Sequence, residues 1–529
     1  MGGSSHIVWV LSILEELAAR GHHVKFFTRD DHIRFAKKFP SIEPISSGPG
    51  IFTKEDYNRI LPEMISMDSV TRAIFFADTF GNNYTEEYYK HRDIFNTEKV
   101  DLAVCDHFTM ACSDAAEAAG LPFVVTSSLA YSSGKAHTNL QDDYNDLFLI
   151  SSDATAPYVN VDLINMHHPT SRGVSFFTRF NDKVISPLRL VYGMRHVIKK
   201  SNQDRKSIGL KATMDPMDSW KDSIKIVNGA FGFEAPRPVG PLVELVGPIV
   251  PLNHAGLNSE LQTFLDHRRK VVYVAFGQMA IPTRNDVKMI LTAMLENMET
   301  GTIDGIIWST RGIEELFPEY ITTRSNTTYD IRSLFKSSSA PNETNIAFVN
   351  WAPQVAILHH PSTTLFLTHG GAGSLHESLY NGVPVVVFPF FGDQPSAAIL
   401  TEENGYGRYL KSSSSQEQAT ALIADVALDQ DGSYRQTVRR FQSLVQIRAH
   451  RGVQRGADLM EEALFANKDG KMVHRRDVKR DLSTIVAYNL DIYAFIAVLI
   501  LGSVSGLYRG AVYITQHLQT LPSTKLKSA

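Results

Sequence analysis

The chain has 529 residues, more than one hydrophobic core usually holds, so two large domains are expected. Its 43% apolar and 20% charged residues exclude extensive disorder, and a formal net charge of −4 gives no reason to expect nucleic acid as a partner. The only cysteines, Cys105 and Cys112, exclude a disulfide framework and a Cys-rich metal site, and read as two small core residues.

In chain order, Val8 to Arg20 is amphipathic, Gly21 ends it, and His23 to Thr28 follows as a strand. Val100 to Cys105 predicts a buried strand, Met110 to Ala119 a helix and Pro122 to Thr126 another strand, the βαβ rhythm of a parallel sheet. Between about 130 and 220 the pattern loosens into aromatic and helical stretches such as Val174-Ser175-Phe176-Phe177. Pro236, Pro238, Pro241, Pro248 and Pro251 then mark an interdomain linker, because proline stiffens a segment and denies it ladder hydrogen bonds. Alternation restarts with strands at 271–276, 305–309, 346–350, 363–368 and 384–388, and a helical stretch at 433–466. Asp429-Gln430-Asp431-Gly432 reads as a polar turn between helices and not as a metal–diphosphate site.

Ile492 to Tyr508 contains no charged residue, and Ala511 to Ile514 extends it if Arg509 snorkels, so one membrane span is expected. Tyr488, Tyr493, Tyr508 and Tyr513 sit near its ends, where interfacial aromatics are favoured.

The densest chemistry lies between Trp351 and Gln394. The strand at 363–368 runs into His369-Gly370-Gly371-Ala372-Gly373-Ser374 and then a helical stretch at 372–381. Glycines at such a turn let a phosphate approach the backbone, and the helix start favours negative charge. Around them stand an aromatic at 351, a carboxylate at 377 and Asp393-Gln394 after the next strand.

This constellation, matched along its whole length without insertion, resembles the signature of the UDP-dependent glycosyltransferases with the two-domain GT-B fold. The resemblance implies an α/β protein whose two Rossmann-like parallel-sheet domains face a cleft, plus one C-terminal transmembrane helix. The expected divisions are an acceptor-binding domain at 1–240, the linker at 241–254 and a UDP-sugar-binding domain with its returning helix at 255–466. A basic juxtamembrane segment at 467–489, the span at 490–514 and a tail at 515–529 follow.

By the same resemblance Trp351 stacks on uracil, Gln354 lies near the nucleotide and Glu377 binds the ribose hydroxyls. His369 and Ser374 hold the diphosphate beside Gly371, and Asp393 and Gln394 bind hydroxyls of the sugar. Gly373 replaces the family's usual Asn, and Gln278 its usual Ser; both departures bear on donor geometry. His6 stands where the catalytic base sits, and Asp106 matches its partner aspartate. Imidazole suits that task because its intrinsic pKa lies near neutrality, and the carboxylate fixes its tautomer. His22 and His23 are nearby rivals at a helix–strand turn that should face away from the cleft. The 130–220 region is expected to help shape the acceptor pocket.

The resemblance further implies direct displacement at the anomeric carbon, with no metal or other cofactor and a UDP-sugar as co-substrate. The acceptor is a lipophilic hydroxyl compound such as a sterol, phenol or lipid, with UDP-glucose the first choice of donor and UDP-glucuronic acid the second. The alternative is a catalytically silent, membrane-anchored protein that binds nucleotide sugar or lipid. A lipid-linked oligosaccharide transferase is disfavoured by the full motif. Six cations between Lys468 and Arg480 place that side of the span in the cytosol by the positive-inside tendency. Sequons at Asn83, Asn326 and Asn342 and the terminal Lys525-Leu526-Lys527-Ser528-Ala529 argue instead for a lumenal body in the endoplasmic reticulum, the favoured arrangement. Relatives also carry a strand before the turn that ends in His6; none precedes it here, so a truncated gene model and an N-terminal sheet one strand short are expected.

Overall fold

The computed structural model describes residues 3–81, 83–128, 169–214, 217–237, 239–251, 254–337 and 344–519. The sequon at 342 and the terminal lysines lie outside the described residues.

The first half contains β1 (Val24–Thr28), β2 (Ile42–Ser46), β3 (Ala103–Asp106), β4 (Phe123–Ser127), β5 (Ile224–Val227) and β6 (Val243–Leu245). All pairings are parallel, but they fall into two sheets: β1 pairs with β2, and β3-β4-β5-β6 stand in sequence order. Among the described residues no strand pairs with both β1 and β3. The Ser4–Ala19 helix fills the core beneath both pieces, burying Trp9, Leu11, Ile13, Leu14 and Leu17 against Phe39, Ile42, Val124, Ile224 and Ile226.

The second half contains β7 (Val271–Ala275), β8 (Gly305–Ser309), β9 (Tyr320–Thr322), β10 (Thr328–Asp330), β11 (Ile346–Val349), β12 (Thr363–Thr368), β13 (Val385–Val387) and β14 (Gly407–Tyr409). Six of these form one parallel sheet in the order β11-β8-β7-β12-β13-β14, while β9 and β10 make a small hairpin. Every residue of β7 and β8 is buried, as expected of parallel strands covered on both faces. Alternate side chains divide between two cores: Val272 and Val274 pack under the Arg284–Glu299 helix, Val271 and Tyr273 under Leu375 and Leu379 of the Ala372–Tyr380 helix.

The helix Ser433–Phe465 returns across both halves, as expected. Near its start Gln442 and Gln446 donate to the carbonyl of Tyr380 at 3.2 and 3.1 Å. Near its end Gly456 lets the first helix come so close that an added Cβ would lie 2.4 Å from Ile13 Cδ1. Arg20 locks this contact by donating to Asp458 at 2.8 Å and Glu461 at 2.7 Å. Asp429 is a turn residue, as read from sequence, accepting from the backbone of Tyr434 and Arg435 at the start of this helix.

Two expectations need correction, and a third falls partly outside the described residues. Cys105 and Cys112 are not two free core thiols but a disulfide, with Cα atoms 5.8 Å apart; a strand end and the first turn of the next helix bring their side chains together. Part of the predicted linker, Val243–Leu245, is an edge strand, which tolerates Pro241 and Pro248 on its flanks. Of the 130–220 region, residues 129–168 lie outside the described residues, and none of the remainder lines the cleft. Phe176 and Phe177 instead stand 64% and 80% exposed.

The helix Leu490–Gln519 is long and apolar enough to cross a membrane, with a mean hydropathy of 2.0 and none of its apolar window buried. It runs five residues past the predicted 514.

Candidate active site

The C-terminal ends of both sets of parallel strands open onto one cavity of about 880 Å³, the position where α/β sheets bind ligands. Every candidate residue from the sequence lines it except Asp106, which stands behind His6.

His6 lies in the first turn of its helix, and Asp106 ends β3. Their side chains meet with His6 Nδ1 3.2 Å from Asp106 Oδ2. A carboxylate only accepts, so the proton on this edge belongs to His6 and leaves Nε2 as the basic nitrogen. The ring is stacked on His107 at 5.2 Å and Phe108 at 5.1 Å. Burial alone would raise the Asp106 carboxyl; its interactions with the His6 and His107 imidazoles and the N–H of Phe108 outweigh it and hold the group well below the usual carboxylate range. Burial pushes the neighbouring His107 down to about 4, so that ring stays neutral. His6, Asp106 and His107 also offer ligand atoms within 4.8 Å of one another. His22 turns away from the cleft to Glu461, 3.0 Å distant, as expected.

Across the cavity the 351–394 motif assembles. His369 follows β12 and is seated between two glycines: an added Cβ on Gly277 or Gly371 would lie 2.8 or 2.4 Å from its ring. Gly277 also has φ +71°, so both backbone and space demand glycine there. Burial pushes His369 down to about 4, making it a neutral hydrogen-bonding group. Beside it the Ala372–Tyr380 helix begins with no side-chain cap, leaving its first N–H groups facing the cavity. Gly373 adds no side chain, and the nearest atom to its would-be Cβ is Ser5 Cβ at 3.8 Å. Gln354 Nε2 donates to Glu377 at 2.7 Å and to Ser374 at 3.2 Å, tying three motif residues together. Burial pushes Glu377 up to about 7 against the lowering effects of Gln354 and Lys38. Trp351 is 65% exposed, an apolar face presented to the cavity mouth.

Burial likewise pushes Asp393 up to about 6, opposed by a backbone hydrogen bond and by His6. His6 on one domain therefore faces the Asp393 carboxylate on the other. Gln394 differs from expectation in detail: its carbonyl oxygen accepts from the N–H of Phe390 and Phe391 at 2.9 and 3.2 Å, leaving only its N–H₂ for a ligand. Gln278 reaches back across the cleft, its Nε2 3.5 Å from Ser4 Oγ.

Five cavity residues were not singled out from sequence. Arg311 donates to the carbonyl of Gly277 at 3.1 Å and lies 5.0 Å from the Trp351 ring centre. Ser128 Oγ is 3.4 Å from His6 Nε2. Phe108 packs on His6, and Arg34 and Lys38 enter from the first domain. The i, i+4 spacing of Arg34 and Lys38 was the one available signal, and a charge pair of that kind is ordinary on any solvated helix.

Residues 2–520 match the family described as UDP-glucoronosyl and UDP-glucosyl transferase. The chain belongs to this family. It is 27% identical to the UDP-glycosyltransferase stmC of Aspergillus ustus over 92% of each chain. It is 26% identical to human UDP-glucuronosyltransferase 1A3 over 53% of this chain and 47% of that protein. Among solved structures, Os79 from O. sativa in complex with U2F and trichothecene superposes with a TM-score of 0.59 at 16% identity, covering 87% of this chain and 98% of that one. The fold is GT-B, and this UDP-glycosyltransferase takes a UDP-sugar as donor.

Proposed function

We propose that this UDP-glycosyltransferase is an inverting enzyme that moves a hexose to the hydroxyl of a lipophilic small molecule, giving a β-glycoside. Glucose is the first choice of sugar and glucuronic acid the second. The observation that carries the reading is the His6–Asp106 pair facing Asp393 across one cavity. His6 Nε2 takes the acceptor's proton, the acceptor oxygen bonds to the anomeric carbon, and the bond from that carbon to the diphosphate oxygen breaks on the opposite face. Trp351 stacks on the uracil and Glu377, held by Gln354, accepts from the ribose diol. His369, Ser374, Gly371 and the helix start receive the charge gathering on departing UDP. Asp393 and the Gln394 N–H₂ orient the sugar, and the scheme gives no metal a role.

The acceptor class rests on the wall of the first domain, where Trp9, Leu61, Met64, Phe76, Phe80 and Phe108 make the cavity apolar beside the base. Anchoring by the Leu490–Gln519 helix suits an acceptor that partitions into lipid. A catalytic body in the lumen of the endoplasmic reticulum is supported by the Cys105–Cys112 disulfide, since such bonds persist in oxidising compartments.

The test is UDP release by the full-length protein in membranes, with UDP-glucose or UDP-glucuronic acid and mixed sterols and phenols. Acceptor-dependent release that His6→Ala abolishes supports the proposal. Release that His6→Ala leaves intact sinks the assignment of the base, and a wild-type protein that binds UDP but turns over neither donor sinks the proposed reaction.

A further inference from the structure

Three strand ends of the second half meet at one guanidinium. β8 stands between β11 and β7 in the sheet, and Arg311 lies just past its end. On one side the ladder runs on: the N–H of Thr310 donates to the Val349 carbonyl at 2.8 Å and that of Arg311 to the Asn350 carbonyl at 3.1 Å. Trp351 is the next residue, and the Arg311 Cζ lies over its ring, 5.0 Å from the centre. On the other side the same guanidinium donates at 3.1 Å to the carbonyl of Gly277, just past the end of β7. Gly277 seats His369, since an added Cβ there would lie 2.8 Å from the imidazole. One side chain thus touches both the exposed aromatic and the turn under His369.

The backbone at this point does not favour arginine. Arg311 has φ +51°, a left-handed conformation better suited to glycine or asparagine, and Gly312 follows at +80°. Such a conformation persists where the surrounding contacts hold the residue. Here the side chain is half-buried and lines the cavity, while Trp351 beside it is 65% exposed. An indole that exposed must be ordered when a ligand stacks on it, which weakens binding unless a neighbour has already fixed its plane. A guanidinium laid on one indole face does so by cation–π attraction, and its in-plane N–H groups still reach a carbonyl.

Resting on the reading of Trp351 as the uracil platform, we propose that Arg311 is a positioning residue that ties this platform to the turn under His369. It sets the Trp351 plane from one face and leaves the other to the base. It also fixes the Gly277 carbonyl, so that His369 keeps its seat. Base recognition and diphosphate contact are thereby coupled through a residue that acts by way of its neighbours.

Binding of UDP and uridine would be measured on the full-length protein in nanodiscs for wild type, Arg311→Gly, Arg311→Lys, Trp351→Ala and the Arg311→Gly, Trp351→Ala double variant. Glycine suits the left-handed backbone, so Arg311→Gly removes the side chain without adding strain, and a nucleotide-free melt checks the fold. Arg311→Asn, which also tolerates that conformation, repeats the test should the glycine variant unfold. The expected losses for Arg311→Gly are about tenfold for UDP and about threefold for uridine, which carries no phosphate. With Trp351→Ala already present, the same change should weaken UDP only about threefold, because the platform it steadies is gone. Arg311→Lys should recover part of the loss and not all, since one ammonium cannot both cover the indole and hold the Gly277 carbonyl. Uridine binding unchanged in Arg311→Gly, additive losses in the double variant, or full recovery by lysine would overturn the tie and leave Arg311 a plain counter-charge. A Trp351→Ala variant that binds uridine like wild type removes the platform reading beneath it, and a wild type that binds no UDP removes the donor site itself, so the failures are distinguishable.

Discussion

Asp106→Asn isolates the charge of the partner from its shape. The side chain is isosteric and keeps an oxygen for the Phe108 N–H, so the strand end and helix start should survive. What disappears is a negative charge 3.2 Å from His6 Nδ1. Two full charges at that distance interact by about 5 kcal/mol at an effective dielectric of ~20. With the proton half transferred in the transition state, about half of this is lost, a fall in kcat on the order of 100-fold. Binding of UDP should change little, because the carboxylate faces the acceptor side. Initial rates of UDP release at saturating donor, with UDP titration as the check on folding, give both numbers. The His6→Ala, Asp106→Asn double variant should be no slower than His6→Ala alone, since the carboxylate acts through the imidazole. A single variant retaining kcat within about threefold, or an additive double variant, would refute the dyad.

Trp351→Ala should weaken UDP binding by about tenfold or more, given ~1–3 kcal/mol for stacking on a base. Its melting temperature without nucleotide should hold, because the side chain is 65% exposed; thermal melts and UDP titration read the two separately. Glu377→Gln should lower UDP affinity about tenfold by removing the ionised acceptor of the diol. It should also flatten a pH trend: the carboxyl's pKa is raised from 4.5 to about 7, so the folded chain binds more protons than the unfolded one between those values. Nucleotide-free stability therefore falls as pH rises through that window, by up to about 3 kcal/mol, and melts at pH 5 and 7 should show the loss shrinking in the variant. Reducing Cys105–Cys112 should lower stability by ~2 kcal/mol and activity with it, since Cys105 adjoins Asp106; a melt and a rate indifferent to reductant in native protein would contradict this.

The elements that sequence made legible are those whose apolar period was unambiguous. Val271–Ala275, Gly305–Ser309 and Thr363–Thr368 fall within a residue of their predicted bounds because they are almost wholly buried and read as short apolar and β-branched runs. The Val243–Leu245 strand was hidden because three residues between prolines show no period, and only its parallel neighbour, Ile224–Val227, makes it a strand. The disulfide escaped for a related reason. Cysteines seven apart carry no geometric information until a tight strand-to-helix turn folds one back on the other.

The site was legible wherever its residues share one local segment, as from Trp351 to Gln394, and opaque wherever it is built across the cleft. Arg34 and Lys38 sit more than 300 residues from the motif whose cavity they line, and no local period encodes that distance. The Ser433–Phe465 helix is what makes such a site possible. One stretch of it bonds to the end of the motif helix at Tyr380, and a later stretch grips the helix that carries His6 through Gly456 and Arg20. A rigid rod of 33 residues, about 50 Å long, thus holds both halves of the active site to one frame. His6 and the Trp351–Gln394 motif keep their spacing through that frame, so the two walls of one cavity are held together although they lie far apart in the chain.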